Sequence, residues 1–141
     1  MLIIDMAKSF VYLTVLKNKF DEQNMILLAW AGLFVVIGHI YPLFFGFKGG
    51  KGVSATGGTI AALCPFAFIP LALVFILTIL IKKKVGLGSV VAVSMIPFGV
   101  LIVNLFYHIS WNIWLPVFVL NLVMSVIVVI RHKENIVQMK I

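Results

Sequence analysis

Apolar residues run through this chain in long blocks, at 1–16, 25–45, 59–81, 85–107 and 113–130. Blocks of this length predict α-helices, because an open strand edge in lipid leaves backbone groups unpaired. The polar breaks are short. They predict one helix bundle over residues 1–141, a single transmembrane domain with no soluble domain, linker or internal repeat. The first block is short against the ~20 residues that a span needs, so the chain is expected to start part-way into a helix. It lacks the basic leader and small-residue cleavage site of a signal peptide. Pro65 and Pro70 interrupt the third block; each lacks a backbone donor and disfavours helical geometry in the residue before it.

Composition sharpens the class. Of 141 residues, 63% are hydrophobic and 11% charged, and the mean hydropathy is +1.21. A soluble domain of this size could not bury so much apolar surface, so the pattern predicts an all-α, polytopic integral membrane protein. Eleven basic against four acidic residues give a net charge of +7. In a membrane protein that excess marks cytoplasmic loops and an anionic ligand, not nucleic acid. The lone Cys64 forms no intrachain disulfide and belongs to no zinc pattern, so it reads as a small core residue. Neither a metal nor a cofactor is expected.

Basic residues also set the orientation. Lys48, Lys51, Lys82, Lys83, Lys84, Arg131, Lys133 and Lys140 fall in three places: a glycine loop, a triple-lysine loop and the C-terminal tail. The positive-inside rule places all three in the cytoplasm, with 17–24 and 108–112 outside. One apolar block, 59–81, then joins two cytoplasmic loops, which a single crossing cannot do. The prolines resolve the parity if the region forms a hairpin of helices near 53–63 and 66–81. The alternative puts the triple lysine outside and leaves one later block that does not cross.

The most specific stretch is Gly46-Phe47-Lys48-Gly49-Gly50-Lys51-Gly52-Val53. Glycines let backbone N–H groups approach an anion closely, a helix starting near Val53 adds its N-terminus, and Lys48 and Lys51 add charge. The spacing departs from a Walker A loop by one residue, and Gly52 stands where Ser or Thr is required. A tight turn carrying a positive-inside signal is the competing reading.

Further candidates lie outside that loop. Arg131-His132-Lys133-Glu134-Asn135 ends the last block. If its helix continues past Ile130, His132 and Asn135 share a face and could orient a hydroxyl or donate to an oxyanion. A charged helix end that only marks the membrane surface is the plainer alternative. Asp5 and Lys8, three apart, are expected to pair inside the bundle, and His39 either lines the glycine-loop cavity or makes an interhelical bond. Gly32 and Gly38 would permit close helix packing. Tyr41, Phe47, Tyr107, Trp111 and Trp114 read as an interfacial belt.

Gly38-His39-x-x-Pro42 followed by Phe47-Lys48-Gly49-Gly50-Lys51-Gly52-Val53 resembles the second motif of the bacterial acyl-phosphate:glycerol-3-phosphate acyltransferases, the PlsY family. Arg131-His132-x-x-Asn135-Ile136 is similar to the third motif; Asp5-x-x-Lys8 and Gly86-Leu87-Gly88-Ser89 also fit. The resemblance implies a multi-pass enzyme of the bacterial inner membrane with a cytoplasmic active face. It would transfer a fatty acyl group from acyl phosphate to glycerol 3-phosphate, forming lysophosphatidate. His132, Asn135 and Lys51 would be catalytic; Lys48, Gly49, Gly50, Lys51, Gly52, His39 and Arg131 would bind substrate. A soluble enzyme that makes acyl phosphate is an implied partner. Family members carry an extra span and a first motif with Ser, Arg and an Asn-Pro-Gly stretch, so this chain is expected to be a fragment of the full domain. Ser54-Ala55-Thr56 shifts the usual Ala-Thr. The other readings are a truncated inactive copy, an anion transporter or channel subunit, and a scaffold. Lysines clustered at one face argue against a transport path, and a scaffold gives no reason for four glycines among lysines.

Overall fold

The computed structural model describes residues 2–20, 24–42, 46 and 50–139, the side chains of Leu2, Asn135, Gln138 and Met139 excepted. Seven helices form among the described residues: α1 (Leu2–Lys19), α2 (Met25–Ile40), α3 (Val53–Leu63), α4 (Pro65–Lys82), α5 (Val85–Tyr107), α6 (Trp111–Arg131) and α7 (Lys133–Met139). The last three long ones, α4, α5 and α6, have the length and apolarity to cross a membrane; α2 and α3 are apolar but shorter.

The third apolar block breaks at Cys64, whose backbone turns away from helical geometry at φ −143° and ψ 71°. Pro65 follows as the first residue of α4, where its missing N–H costs nothing because that group has no helical partner anyway. The predicted hairpin therefore forms as α3 and α4. Pro70 lies inside α4 and does not break it, as Pro97 and Pro116 lie inside α5 and α6. Cys64 is buried at the apex.

α1 packs along α3, α2 along α6, and α5 between α4 and α6. Small residues set the closest approaches. A Cβ at Gly58 would overlap the backbone carbonyl of Met6, and one at Gly32 would stand 2.8 Å from Thr59 Cγ2. Gly38 makes no such contact: a Cβ there would meet nothing within 4 Å, so only Gly32 of the two expected glycines serves packing. Between α5 and α6, the Ser125 hydroxyl donates to the Val93 carbonyl at 2.8 Å.

These contacts bring the charged segments together. Gly52, before α3, lies against Ile40 at the end of α2 and Val128 near the end of α6. Val53 and Ser54 share a cleft with Phe75 and Ile76 of α4 and Ala92 and Val93 of α5. The glycine turn, the triple lysine and Arg131–Lys133 thus occupy one end of the bundle. At the other end Phe66 stacks on Tyr107, ring centroids 5.1 Å apart, and Trp111 meets Trp114 edge-on at 5.6 Å.

Candidate functional site

The glycine turn enters α3 through Gly52, at φ +85°, a left-handed conformation that a side chain resists. Space forbids a side chain too, since a Cβ would stand 2.8 Å from Ile40 Cδ1 and 3.2 Å from Val128 Cγ2. The turn is wedged between the ends of α2 and α6. A Cβ at Gly50 would come within 2.5 Å of His39 Nε2, so the His39 imidazole lies directly against this backbone. The Thr56 N–H donates to the Gly52 carbonyl at 2.9 Å and closes the first helical turn. The amides ahead of it have no partner within the helix, which gives an anion a set of donors at the positive end of the α3 dipole.

His132 stands where α6 ends, at φ −92° and ψ 7°, so the helix bends there before α7. Its side chain is buried. Nδ1 lies 2.8 Å from the Val128 carbonyl. A carbonyl only accepts, so Nδ1 carries the proton and, in the neutral ring, Nε2 is left as acceptor. Burial pushes the pKa of His132 below the usual histidine value; the hydrogen bond to Val128 opposes this, and the Lys51 charge adds to the lowering. Lys51 and His132 are therefore electrostatically coupled, although they lie far apart in sequence.

Arg131 places its guanidinium carbon 5.2 Å from the centre of the Tyr41 ring, a cation–π contact joining the ends of α6 and α2. Tyr41, expected only as part of an aromatic belt, thus holds a candidate substrate-binding residue. Asp5 and Lys8 do not pair inside the bundle: Lys8 is exposed, and among the described residues no ion pair joins the two. They line a hollow of about 290 Å³ with Ser9, Tyr12, Val35 and His39, and Ser9 donates to the Asp5 carbonyl at 3.1 Å. His39 thus touches both this hollow and the glycine turn. Lys48 and Gly49 lie outside the described residues, and Asn135 is described only as backbone in α7, so its face relative to His132 lies outside the description as well.

A second, apolar cleft of about 250 Å³ starts at the same turn. Val53, Ser54, Phe75 and Ile76 stand at its outer end, and Ile60, Phe68, Leu71 and Ile96 at its inner end. Sequence reasoning missed this cleft; the signal for it was Gly57-Gly58, two adjacent glycines inside a helix.

Known proteins are similar to this chain in sequence and in fold. Residues 1–140 match the family model described as glycerol-3-phosphate acyltransferase. A glycerol-3-phosphate acyltransferase of Streptococcus pneumoniae (strain Taiwan19F-14) is 39% identical over 110 residues, 77% of this chain and 51% of the relative. One from Staphylococcus carnosus (strain TM300) is 32% identical over 107 residues, 76% of this chain and 48% of the relative. Two crystal structures of PlsY (YgiH), an integral membrane glycerol 3-phosphate acyltransferase, superpose with a TM-score of 0.86 at 29% identity. One is the lysophosphatidic acid form and the other the glycerol 3-phosphate form; this chain is covered over 98% of its length, and they over 66% and 64% of theirs. The chain spans about half the length of the curated relatives it matches. An all-α integral membrane fold is common ground with the two solved structures, and the chain belongs to the glycerol-3-phosphate acyltransferase family.

Proposed function

We propose that this chain carries the acyl-transfer site of a bacterial membrane enzyme that moves a fatty acyl group from acyl phosphate to glycerol 3-phosphate, forming lysophosphatidate. The observation that carries the reading is the junction of the glycine turn with Lys51 and His132. An anion site and a hydroxyl acceptor meet there at the lysine-rich end of the bundle. By the positive-inside rule that end faces the cytoplasm, where a soluble enzyme making acyl phosphate could deliver its product. The neighbouring PlsY structure in its glycerol 3-phosphate form supports the choice of acceptor substrate.

The residues suit the chemistry. Acyl phosphate is already activated, so positioning and charge stabilisation carry more of the barrier than a strong base. Gly50 and Gly52 shape the turn, whose amides, with Lys51, hold the phosphate group. Lys48, Gly49, Arg131 and His39 complete the substrate contacts in this reading. His132 Nε2 accepts a hydrogen bond from the attacking hydroxyl and orients it. Burial and Lys51 oppose storing a proton on that ring, so the proton leaves with the departing phosphate. Asn135, on α7, steadies the carbonyl oxygen as the new ester C–O bond forms and the C–O bond to phosphate breaks.

The test is ester formation from acyl phosphate and labelled glycerol 3-phosphate in membranes expressing the chain. Lys51→Ala is expected to lower turnover at subsaturating glycerol 3-phosphate roughly tenfold to a hundredfold, the scale of a lost charged hydrogen bond. The amount of inserted protein should stay the same. Unchanged turnover would remove the phosphate-cradle assignment.

A further inference from the structure

We propose that Ser125 is a positioning residue for His132: its hydroxyl holds the carbonyl that Pro97 frees in the middle of α5, and this tie fixes the height of α6 and of the imidazole at its end. The proposal rests on the acyltransferase reading above, which gives His132 a task but not the reason for its place. Ser125 breaks a pattern. Ser9, Thr59, Thr78, Ser89 and Ser94 each donate to the carbonyl four residues back in their own helix, the usual habit of a helical hydroxyl. Ser125, itself buried, reaches across to Val93 of α5 instead, at 2.8 Å.

The Val93 carbonyl needs that donor. In an α-helix it would accept from the N–H four residues on, and that residue is Pro97, which has none. Pro70 and Pro116 free the carbonyls of Phe66 and Asn112, but these are the second residues of α4 and α6 and are exposed, so water can serve them. Pro97 lies near the middle of the 23-residue α5 and is buried, as is Val93. An unpaired carbonyl at that depth is strongly disfavoured.

The tie reaches the site along one helix. The core of α5 and α6 is otherwise mainly aliphatic, from Ile96 and Val100 to Val117 and Leu120. A hydrogen bond of fixed length selects one register more sharply than aliphatic packing does in lipid, which is as apolar as the core. His132 lies seven residues past Ser125, two turns along the same face and about 10 Å up the axis. Between them, the Val128 carbonyl accepts from His132 Nδ1 at 2.8 Å, and the Val128 side chain walls Gly52. A slip of α6 would therefore shift the imidazole relative to the glycine turn, and a misplacement of about 1 Å can cost a reaction about a hundredfold.

The experiment is a double-mutant cycle, read by transfer kinetics in membranes and by the His132 imidazole shifts of the purified protein. Ser125→Ala is expected to lower saturated turnover about threefold to twentyfold, the range of a hydrogen bond between membrane helices, with KM for glycerol 3-phosphate within about twofold. The His132 pKa should rise toward its ordinary value as the ring leaves its buried place beside Lys51. Pro97→Ala returns an N–H to Val93, so adding Ser125→Ala to that background should change neither readout. Ser125→Thr keeps the hydroxyl and should keep wild-type turnover and pKa, which leaves the test decisive if Pro97→Ala fails to insert. A Ser125→Ala protein that melts earlier but keeps wild-type turnover and His132 pKa would give Ser125 a stability role alone and overturn the proposal. An equal penalty with and without Pro97 would overturn it too. The two readouts also separate the two readings. Imidazole shifts that follow Ser125 without ester formation would refute the transferase and leave the tie standing, whereas ester formation indifferent to Ser125 would refute the tie alone.

Discussion

α3 and α4 are the two arms of one hairpin, and they are built by opposite rules. Eight of the eleven residues of α3 are buried, and they are mainly serine, threonine, alanine and glycine. Of the eighteen residues of α4, only Ala67 and Leu71 are buried, and the rest of the helix turns leucine, isoleucine and phenylalanine outward. In water that order would be reversed. In lipid, a large aliphatic side chain gains little by leaving the bilayer, whereas small residues let helices approach to van der Waals distance. Hydropathy therefore marks which surface meets lipid, and small side chains mark the core that carries the site.

The largest expected effect tests that contrast directly. Gly58→Val would drive a side chain into the Met6 backbone, which cannot rotate away as a side chain could. Overpacking of this kind costs about 1–3 kcal/mol, occasionally more. The melting temperature of the purified protein in detergent should fall clearly, and an unchanged value would mean that α1 and α3 do not touch as described.

A smaller effect separates the site from the rest of α6. The pKa of His132 lies below its ordinary value of 6.5 in the folded protein, first through burial and in part through the Lys51 charge. As pH falls below 6.5 the unfolded chain takes up a proton that the folded chain resists. Stability is therefore full above about pH 6.5, declines as pH falls toward the folded pKa, and then levels off. His132→Gln should remove this decline. Lys51→Ala should move the His132 pKa part of the way back up, as read from imidazole proton shifts. A pKa that stays put would mean that Lys51 and His132 are not neighbours.

The smallest effect is expected on the lipid-facing arm. Leu80 is 68% exposed, so Leu80→Ala should change stability by no more than about 0.5 kcal/mol in the same melting assay. A cost matching that of Gly58→Val would erase the distinction between the two arms.

Much of this was legible in the residues, because the physics that builds membrane helices is local. Pro65 announced the hairpin, since a residue before proline avoids helical geometry; the break fell one residue earlier, at Cys64. Pro70 stays inside α4, as the expected helix over 66–81 requires, because a proline inside a membrane helix can have its freed carbonyl satisfied by neighbours. The glycine turn was legible in the residues, yet the reason for Gly52 was not. It is excluded volume set by Ile40 and Val128, which come from two other helices. The same non-locality hid the Tyr41–Arg131 contact and the coupling of Lys51 to His132. Asp5 and Lys8 show the opposite failure: a spacing of three suits an ion pair, but it does not compel one when the cation can reach the surface.

The central claim is that the main chain from Gly50 to Thr56 grips a phosphate group, and amide hydrogen exchange with added glycerol 3-phosphate tests it most directly. Slowed exchange confined to Gly50–Thr56 and the Arg131–His132 bend, and abolished by Lys51→Ala, is the predicted result. Exchange that is unchanged there, or slowed only at the Phe66–Tyr107 end of the bundle, would contradict the account.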